Sequence, residues 1–298
     1  MTTQSRSSVI ARKDAAAPSG GLLDFLELEQ VERDLFRGTC HEGVPLRAFG
    51  GQVAAQALTA AGHTVAADRS VHSLHGYFLR PGDTKQPIVY AVERLRDGGS
   101  YVSPGVSAVQ GGEVIFSLSA SFKRAEPGLD RHRRMPCTAG PGDLPADGLP
   151  GADPENEGSP WHRVLDIRHA PAPPEQTEEG QTEQRLWIRA TQPLSDDSLT
   201  HACALAYASD LGLAPTAALE EAASEQRSSF SSLFMTSLDH AIWYHRPFRA
   251  DEWMLFTQRS PSAGDGRGLA MADVWSQDGL LVASVVQETV LRDMRRPR

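Results

Sequence analysis

The chain has 298 residues, of which 40% are hydrophobic and 22% are charged, and its net charge is −9 at pH 7. This composition is typical of a soluble globular protein with room for two domains, and the acidic balance argues against a general nucleic-acid binder. Nothing approaches the run of about 18 apolar residues that a membrane span needs. The three cysteines, Cys40, Cys137 and Cys203, form no metal-binding or disulfide pattern, which favours a reducing cytoplasm.

The first half of the chain predicts one helix followed by a set of strands. Residues 1–21 are polar and rich in small residues, so we expect a disordered tail there. The first folded unit is predicted over residues 22–125, and its start, 25–36, fits a helix or a helix followed by a strand. Residues 53–61 predict a helix whose small side chains let its axis lie close to a sheet. Residues 71–123 then predict strands, with turns at 81–83, 97–99 and 110–112.

The second half repeats this arrangement after a linker. Residues 126–160 are rich in Pro, Gly and Asp and lack a period, so they predict a linker. The second unit is predicted over residues 161–298, with a charged insert at 171–184 and a short strand at 186–189. Ser198 is predicted to cap a helix that runs to about Leu211. Strands follow over 237–292, with turns at 246–247, 262–268 and 277–279.

Two segments show that the chain contains an internal duplication. Tyr77-Phe78-Leu79-Arg80-Pro81 is echoed by Trp243-Tyr244-His245-Arg246-Pro247, and Gln110-Gly111-Gly112 is echoed by Gln277-Asp278-Gly279. The offsets are 246−80=166 and 277−110=167, so the register holds to within one residue. Each unit is therefore predicted to be one helix with an antiparallel sheet, an α+β arrangement. Because neither sheet covers its own edge, we expect the two sheets to join into one continuous sheet.

A series of motifs resembles the acyl-CoA thioesterase II family over residues 22–292. The motifs are Phe49-Gly50-Gly51-Gln52, the segment from His75 to Gly82, Ala208-Ser209-Asp210-Leu211, Ser237-Leu238-Asp239-His240, the segment from Trp243 to Phe248, and Val286-Gln287-Glu288. The resemblance implies a double hotdog fold and hydrolysis of acyl-CoA to a free acid and CoA by water. No set of His, Cys and Asp residues has the spacing of metal ligands, so we expect no metal, and we expect no cofactor. We further expect a homo-oligomer without membrane or nucleic-acid partners.

The family's catalytic Asp, its Thr or Ser, and its Gln fall by motif on Asp210, Ser237 and Gln287, all in the second unit. This chain departs from the family in two places. Ser237 stands where Thr is more frequent, which retains the hydroxyl group. Pro104 and Gly105 stand where many members carry a basic pair, so substrate contacts from that pair are not expected, and the strand is expected to bend there.

The residues themselves favour the same chemistry. Asp210 shares an apolar helix face near the helix C-terminus, where burial and the dipole should raise its pKa and suit it to act as a general base. At the repeat offsets, Gln287 replaces Ala120 and Ser237 replaces Val71, so the polar groups occur in one unit and we expect one working site per chain. Ser237 has no G-x-S-x-G context, which argues against a covalent nucleophile.

The sequence leaves several alternative roles and functions open. Asp239 and His240 fit structural hydrogen bonding better than a catalytic pair, because neighbours on a strand point to opposite faces. Basic clusters at residues 131–134 and 292–298 fit either phosphate binding or a solvated surface. Asp196 and His201 have the spacing of hotdog enoyl-CoA hydratases but lack the Asn-Pro pair between them. A non-catalytic acyl-CoA-binding module with the same fold is the third possibility.

Overall fold

A computed structural model describes residues 21–40, 47–146, 160–171, 183–219 and 233–294 of the chain. The predicted tail lies outside the described residues, apart from Gly21 at its end. Most of the predicted insert at 171–184 also lies outside them. No helix among the described residues combines the length and apolar character needed to cross a membrane.

The first unit begins with a short helix and two short strands, and then has one long helix and four long strands. Its elements are α1 Leu22–Leu26, β1 Glu29–Glu32, β2 Leu35–Gly38, α2 Gly50–Gly62, β3 Ser70–Phe78, β4 Ile88–Asp97, β5 Tyr101–Gln110 and β6 Glu113–Lys123. The start of this unit is thus a helix followed by strands, which is one of the two predicted arrangements. Glycines 111 and 112, both with positive φ, form the tight turn between β5 and β6.

The second unit repeats the long helix and adds further strands. A 3₁₀ turn at Pro141–Asp143 precedes α3 Pro160–Val164, β7 Leu165–Ala170, β8 Glu183–Ala190, α4 Ser198–Ser209, α5 Leu213–Thr216, β9 Leu233–Ser237, β10 Asp239–Tyr244, β11 Met254–Gly264, β12 Arg267–Ser276 and β13 Leu281–Asp293.

Two boundaries in the second unit differ from the sequence prediction. The N-cap of α4 is Asp197 rather than Ser198, because the Asp197 carboxylate accepts a hydrogen bond from the Thr200 N–H. Strand β11 continues through Gly264, so the predicted turn at 262–268 shortens to Asp265 and Gly266.

The strands of both units form one continuous antiparallel sheet, as predicted. Within the described residues the strand order is β1-β2-β4-β5-β6-β3-β10-β13-β12-β11-β8-β7, and β9 also pairs with β13. The units meet where β3 pairs with β10, in a register that sets Leu74 opposite Ile242. The two sheets thus join edge to edge, as predicted, through the pairing of β3 with β10. The fold is the double hotdog α+β arrangement.

Helices α2 and α4 lie buried against this sheet and pack antiparallel to each other. Both consist mainly of Ala, Gly and other small residues, so their axes can approach the sheet and each other closely. In the middle of the contact the Thr59 hydroxyl lies 3.3 Å from Cys203 Sγ. At one end of the pair Gly51 packs on the backbone of Tyr207, and at the other end Gly62 packs on Leu199. The N-terminus of α2 therefore meets the C-terminus of α4.

The described part of the predicted linker crosses the outer face of the second unit's sheet. The guanidinium of Arg185 donates to the Cys137 carbonyl over 2.7 Å, and the Trp187 indole donates to the Ala139 carbonyl over 2.9 Å. Asp130 forms an ion pair with Arg246. Although this segment has almost no regular secondary structure, these contacts hold it against the sheet. The remainder of the predicted linker, residues 147–159, lies outside the described residues.

Strand β5 remains in the sheet through Pro104 and Gly105. The pairing of β4 with β5 shifts by one residue there, so that Arg94 lies opposite Pro104 and Arg96 lies opposite Ser103. This irregularity in β4 accommodates a residue that cannot donate a backbone hydrogen bond. The side chain of Leu95 covers Gly105.

Candidate active site

Asp210 lies at the C-terminal end of α4, where a buried hydrogen-bond network fixes the chain. The next residues turn away through Gly212, whose φ is +82° and whose conformation favours glycine. Gln258 Nε2 donates to the Leu211 carbonyl over 2.9 Å, and Gln184 Nε2 donates to Gln258 Oε1 over 2.6 Å. Since these amides come from β11 and β8, the sheet itself sets the position of Asp210.

The carboxylate of Asp210 reaches across to the first unit. The Gly51 N–H donates to Asp210 Oδ2 over 2.8 Å. Helix α2 begins after Phe49, which has no side-chain acceptor. Asp210 therefore caps the N-terminus of α2 by accepting a backbone N–H that an N-cap side chain usually accepts. The backbone of Tyr207 leaves no room for a Cβ atom at Gly51. A glycine is therefore required for the two helix ends to meet.

Ser237 and Gln287 come to Asp210 from two neighbouring strands. Ser237 ends β9, directly opposite Thr289 of β13, and Gln287 lies two residues before Thr289. Ser237 Oγ lies 3.5 Å from Asp210 Oδ1, and Gln287 Nε2 lies 2.9 Å from Ser237 Oγ. The first distance is long for a hydrogen bond between oxygen atoms.

The environment makes Asp210 a stronger base than a solvent-exposed carboxylate. Burial raises its pKa above the usual 3.8. The charge of His240 and the hydrogen bonds from Gly51, Ser237 and Gln287 lower the pKa, but they do not cancel the effect of burial. A carboxyl group with a raised pKa can accept a proton from water more readily than an ordinary one.

Asp210 and Ser237 lie at a cavity of about 410 Å³ between the two units, whereas Gln287 is fully buried and contacts Ser237 without lining the cavity. Asp210 and Ser237 form part of its polar lining, together with Arg47 and Arg80. Arg80 is itself paired with Glu113, at 2.9 Å. Much of the remaining wall is apolar and comprises Phe78, Leu79, Ile115, Phe116, Phe234 and Leu238. The cavity thus combines a carboxylate with an apolar wall, which suits a substrate that has a reactive polar group and a hydrocarbon chain.

The structure brings the three predicted residues together and separates several alternatives from them. Asp196 is paired with Arg249, and His201 Nδ1 accepts from the Ala250 N–H, so neither of these residues lines the cavity. Arg133 is paired with Asp273 on the outer face of the sheet. Arg292 lies opposite Phe234 of β9. Residues 295–298 of the second basic cluster lie outside the described residues.

The sequence motifs did not indicate the backbone and buried partners of the site. The Gly51 N–H was not predicted as a partner of Asp210, although two successive glycines before a small-residue helix are a signal of close approach. Gln287 Oε1 lies 2.7 Å from His240 Nδ1, and His240 Nε2 lies 2.8 Å from Ser209 Oγ. His240 therefore makes buried hydrogen bonds, as its position on a strand suggested. The described residues contain no group of three or more His, Cys, Asp or Glu side chains that fits a metal ion.

Comparison with known proteins gives consistent matches over most of the chain. The family model described as the acyl-CoA thioesterase N-terminal domain matches residues 41–123, and that of the C-terminal domain matches residues 141–291. Human acyl-coenzyme A thioesterase 8 is 40% identical over 301 residues, covering 94% of this chain and 92% of the human protein.

Solved structures agree with this assignment. An acyl-CoA thioesterase II from Mycobacterium marinum is 43% identical, with a TM-score of 0.77, and the match covers 91% of this chain and 97% of that one. A hot dog fold protein from Alicyclobacillus acidocaldarius, 21% identical, has a TM-score of 0.71 over 92% of this chain and 98% of its own, which supports the fold alone. The two repeated units, the continuous sheet and these matches together show that the chain belongs to the acyl-CoA thioesterase II family.

Proposed function

We propose that this protein hydrolyses acyl-CoA thioesters to a free carboxylic acid and CoA by direct attack of water. The observation that carries the proposal is the contact of Asp210 and Gln287 with Ser237, with Asp210 and Ser237 lining a largely apolar cavity, in a member of this family. The apolar wall suits an acyl chain, and the carboxylate suits activation of water.

The proposed reaction uses Asp210 as the general base. A water molecule held by Asp210, Ser237 and Gln287 attacks the thioester carbonyl carbon, and its proton passes to the Asp210 carboxylate. The negative charge that develops on the carbonyl oxygen is stabilised by hydrogen-bond donors. The candidates are the first N–H groups of α2, where Gly50 lines the cavity, and the Gln287 amide, which reaches the cavity only through Ser237. Collapse of the tetrahedral intermediate breaks the C–S bond, and the CoA thiolate leaves with the proton returned from Asp210.

Compartment and assembly also belong to the proposal. The cysteines are free, with Cys40 and Cys203 buried and Cys137 exposed, which fits a cytoplasmic protein. Tyr77 and Trp243 are exposed on β3 and β10, at the centre of the continuous sheet. Exposed aromatic side chains in the middle of the sheet support the expectation of a homo-oligomer.

The activity itself is tested by release of CoA thiol from a panel of acyl-CoA substrates of increasing chain length. We expect hydrolysis of at least one chain-length class, because the cavity offers an apolar wall to the acyl chain. Neither added metal nor a chelator should change the rate, because the proposed base is a carboxylate. Loss of activity with chelator and recovery with zinc would defeat this mechanism. Binding in calorimetry without thiol release by any substrate would instead support an acyl-CoA-binding module.

Ser237 distinguishes direct attack of water from a covalent route. Ser237→Thr should retain hydrolysis because the hydroxyl group stays within reach of Asp210 and Gln287, whereas Ser237→Ala should lose about 10²-fold because the water is then misplaced. Rapid quenching followed by mass spectrometry of the intact protein should detect no acyl-enzyme. An acyl group on Ser237 would overturn the mechanism and leave the function in place.

A further inference from the structure

His240 is buried beside the site but does not line the cavity. It lies on β10, and the register of β10 with β13 pairs Ala241 with Val286, so the next pair along is His240 with Gln287. At the repeat offset the corresponding pair in the first unit is Leu74 opposite Ala120. An apolar cross-strand pair in one unit is thus a polar pair in the other, next to the proposed base. Burying a polar pair in a sheet is unfavourable unless each group is hydrogen-bonded.

Both nitrogen atoms of the His240 ring have a partner. Nδ1 lies 2.7 Å from Gln287 Oε1, and Nε2 lies 2.8 Å from Ser209 Oγ. Ser209 Oγ also lies 3.0 Å from the Ala206 carbonyl, one turn earlier in α4. The ring therefore spans the space between the end of α4 and β13. Because Ser209 immediately precedes Asp210, the same helix end holds both the ring and the base.

The ring determines which way the Gln287 amide faces. An amide has one acceptor oxygen and one donor nitrogen. With Nδ1–H donating to Oε1, the Gln287 NH₂ group faces Ser237 Oγ, and the Ser237 hydroxyl can donate to Asp210. In the reversed orientation, Oε1 would face Ser237 and compete with Asp210 for the hydroxyl proton, and the Gln287 NH₂ group would need a ring with no proton on Nδ1.

We propose that His240, anchored by Ser209, is a positioning residue that fixes the Gln287 amide and so directs the Ser237 hydroxyl toward Asp210. The inference rests on the proposed function and adds to it a residue that does not touch substrate. Each donor in the series faces the next acceptor, from His240 to Gln287, from Gln287 to Ser237 and from Ser237 to Asp210. The series ends on the carboxylate that takes the proton from water.

The charged groups around Asp210 are few, which makes the effect of His240 measurable in a pH profile. Asp239 and Glu288 are strand neighbours of His240 and Gln287, so they point to the opposite face of the sheet, where Glu288 is paired with Arg267. From the loops, Arg47 and Arg80 line the cavity. Tyr207 of α4 stays neutral because burial raises the pKa of its hydroxyl well above the usual 10. Of these groups, only the His240 ring belongs to the series of hydrogen bonds that ends on Asp210.

The test compares two amide replacements for the ring. In His240→Asn the side-chain NH₂ lies near the position of Nδ1 and can still donate to Gln287, whereas in His240→Gln it lies near the position of Nε2 and cannot. We expect His240→Asn to keep kcat within about tenfold of wild type and His240→Gln to lose about 10²-fold, with KM for acyl-CoA little changed in both. In His240→Asn the acid limb of kcat/KM should move to higher pH, because the ring's charge no longer lowers the pKa of Asp210.

The matched control is Tyr244→Phe, which removes a 3.0 Å hydrogen bond between the same strand and the same helix without touching Gln287. It should match wild type in kcat and in the pH profile. Equal losses of kcat in His240→Asn and His240→Gln, no loss in either, or an effect on KM alone would overturn the proposal.

A readout that needs no turnover separates this inference from the proposed function. In the nitrogen NMR spectrum of isotope-labelled histidine, the wild-type protein should show a slowly exchanging Nδ1–H at His240 that Gln287→Ala abolishes. A protein that shows this proton but releases no thiol from any acyl-CoA would refute the proposed function and leave the hydrogen bond to Gln287 in place. A protein that hydrolyses acyl-CoA but lacks this proton would refute the role of His240.

Discussion

Replacing Asp210 with Asn is expected to lower the rate of acyl-CoA hydrolysis by about 10²–10⁴-fold, the usual contribution of a general base. The amide keeps the shape of the carboxyl group but cannot accept the proton of the attacking water. Because the substrate's binding surface is unchanged, kcat should fall and KM should change little. Steady-state kinetics of thiol release, with acyl-CoA binding measured by calorimetry, separate the two quantities.

The wild-type pH profile provides a second check on Asp210. The base is active as a carboxylate, so kcat/KM should rise with pH, and the midpoint should lie above the usual value of 3.8 because burial raises the pKa. A raised pKa in the folded state also means that ionisation destabilises the fold as pH rises through that pKa. Asp210→Asn should therefore unfold at the same or a higher temperature than wild type at neutral pH. A variant that loses activity only because it unfolds would contradict this prediction.

Asp166→Asn provides the matched control for Asp210. Asp166 lies on β7 at the far edge of the sheet, where it forms an ion pair with Arg189 at 2.9 Å. The substitution makes the same change in charge and should leave kcat at the wild-type value. If Asp166→Asn reduced kcat as much as Asp210→Asn, net charge rather than a local base would be responsible.

Replacing Gln287 with Ala is expected to reduce kcat by about 10²-fold, because a misplaced water attacks poorly. The substitution removes the donor to Ser237 and leaves the His240 Nδ1–H without its acceptor, and a buried polar group without a partner costs about 1–3 kcal/mol. We therefore expect a lower free energy of unfolding together with the loss of kcat. Denaturant unfolding and thiol release, measured on the same protein, give both values.

Gln56→Ala separates the catalytic effect of Gln287 from the cost of removing a buried amide. Gln56 is as buried as Gln287 and belongs to α2, where it accepts from the Tyr90 hydroxyl over 2.6 Å and donates to the Phe25 carbonyl over 2.6 Å. The Gln56→Ala variant should lose about as much stability as Gln287→Ala but should keep the wild-type kcat per folded molecule. A similar fall in kcat for both variants would show that Gln287 acts only through the stability of the core.

The duplicated pattern made the sheet and the position of Gln287 predictable. The 167-residue offset identified Ala120 as the apolar counterpart of Gln287, and the two-residue period of a strand puts Val285 and Thr289 on the same face as Gln287. The structure has these residues buried. Such a prediction succeeds because the period of a strand and the register of a repeat are local properties of the sequence.

The contact between Asp210 and Gly51 was not predictable in the same way. It joins atoms 159 residues apart, and it depends on how closely α2 and α4 approach each other. The small residues of these helices indicate close packing but not which helix ends meet. The predicted start of α4 was wrong by one residue for a different reason. Asp197 and Ser198 are adjacent, and both residue types are good N-caps. The hydrogen bonds of the segment at 137–139 to the sheet could not be inferred from a composition typical of a linker.

The antiparallel packing of α2 and α4 gives the pair two ends, and the end with Gly50 and Asp210 lines the cavity. At the other end the side chain of Leu199 packs on Gly62, and Asp197 caps its own helix instead of reaching toward a neighbour. Inherited variation should therefore act differently in the two regions. Around Leu199 and Gly62 a substitution changes side-chain packing, so it should lower stability by an amount that a change in a neighbouring side chain can offset. Around Gly51 and Asp210 we expect a single substitution to abolish activity, because the first unit has Val71 and Ala120 where the second has Ser237 and Gln287.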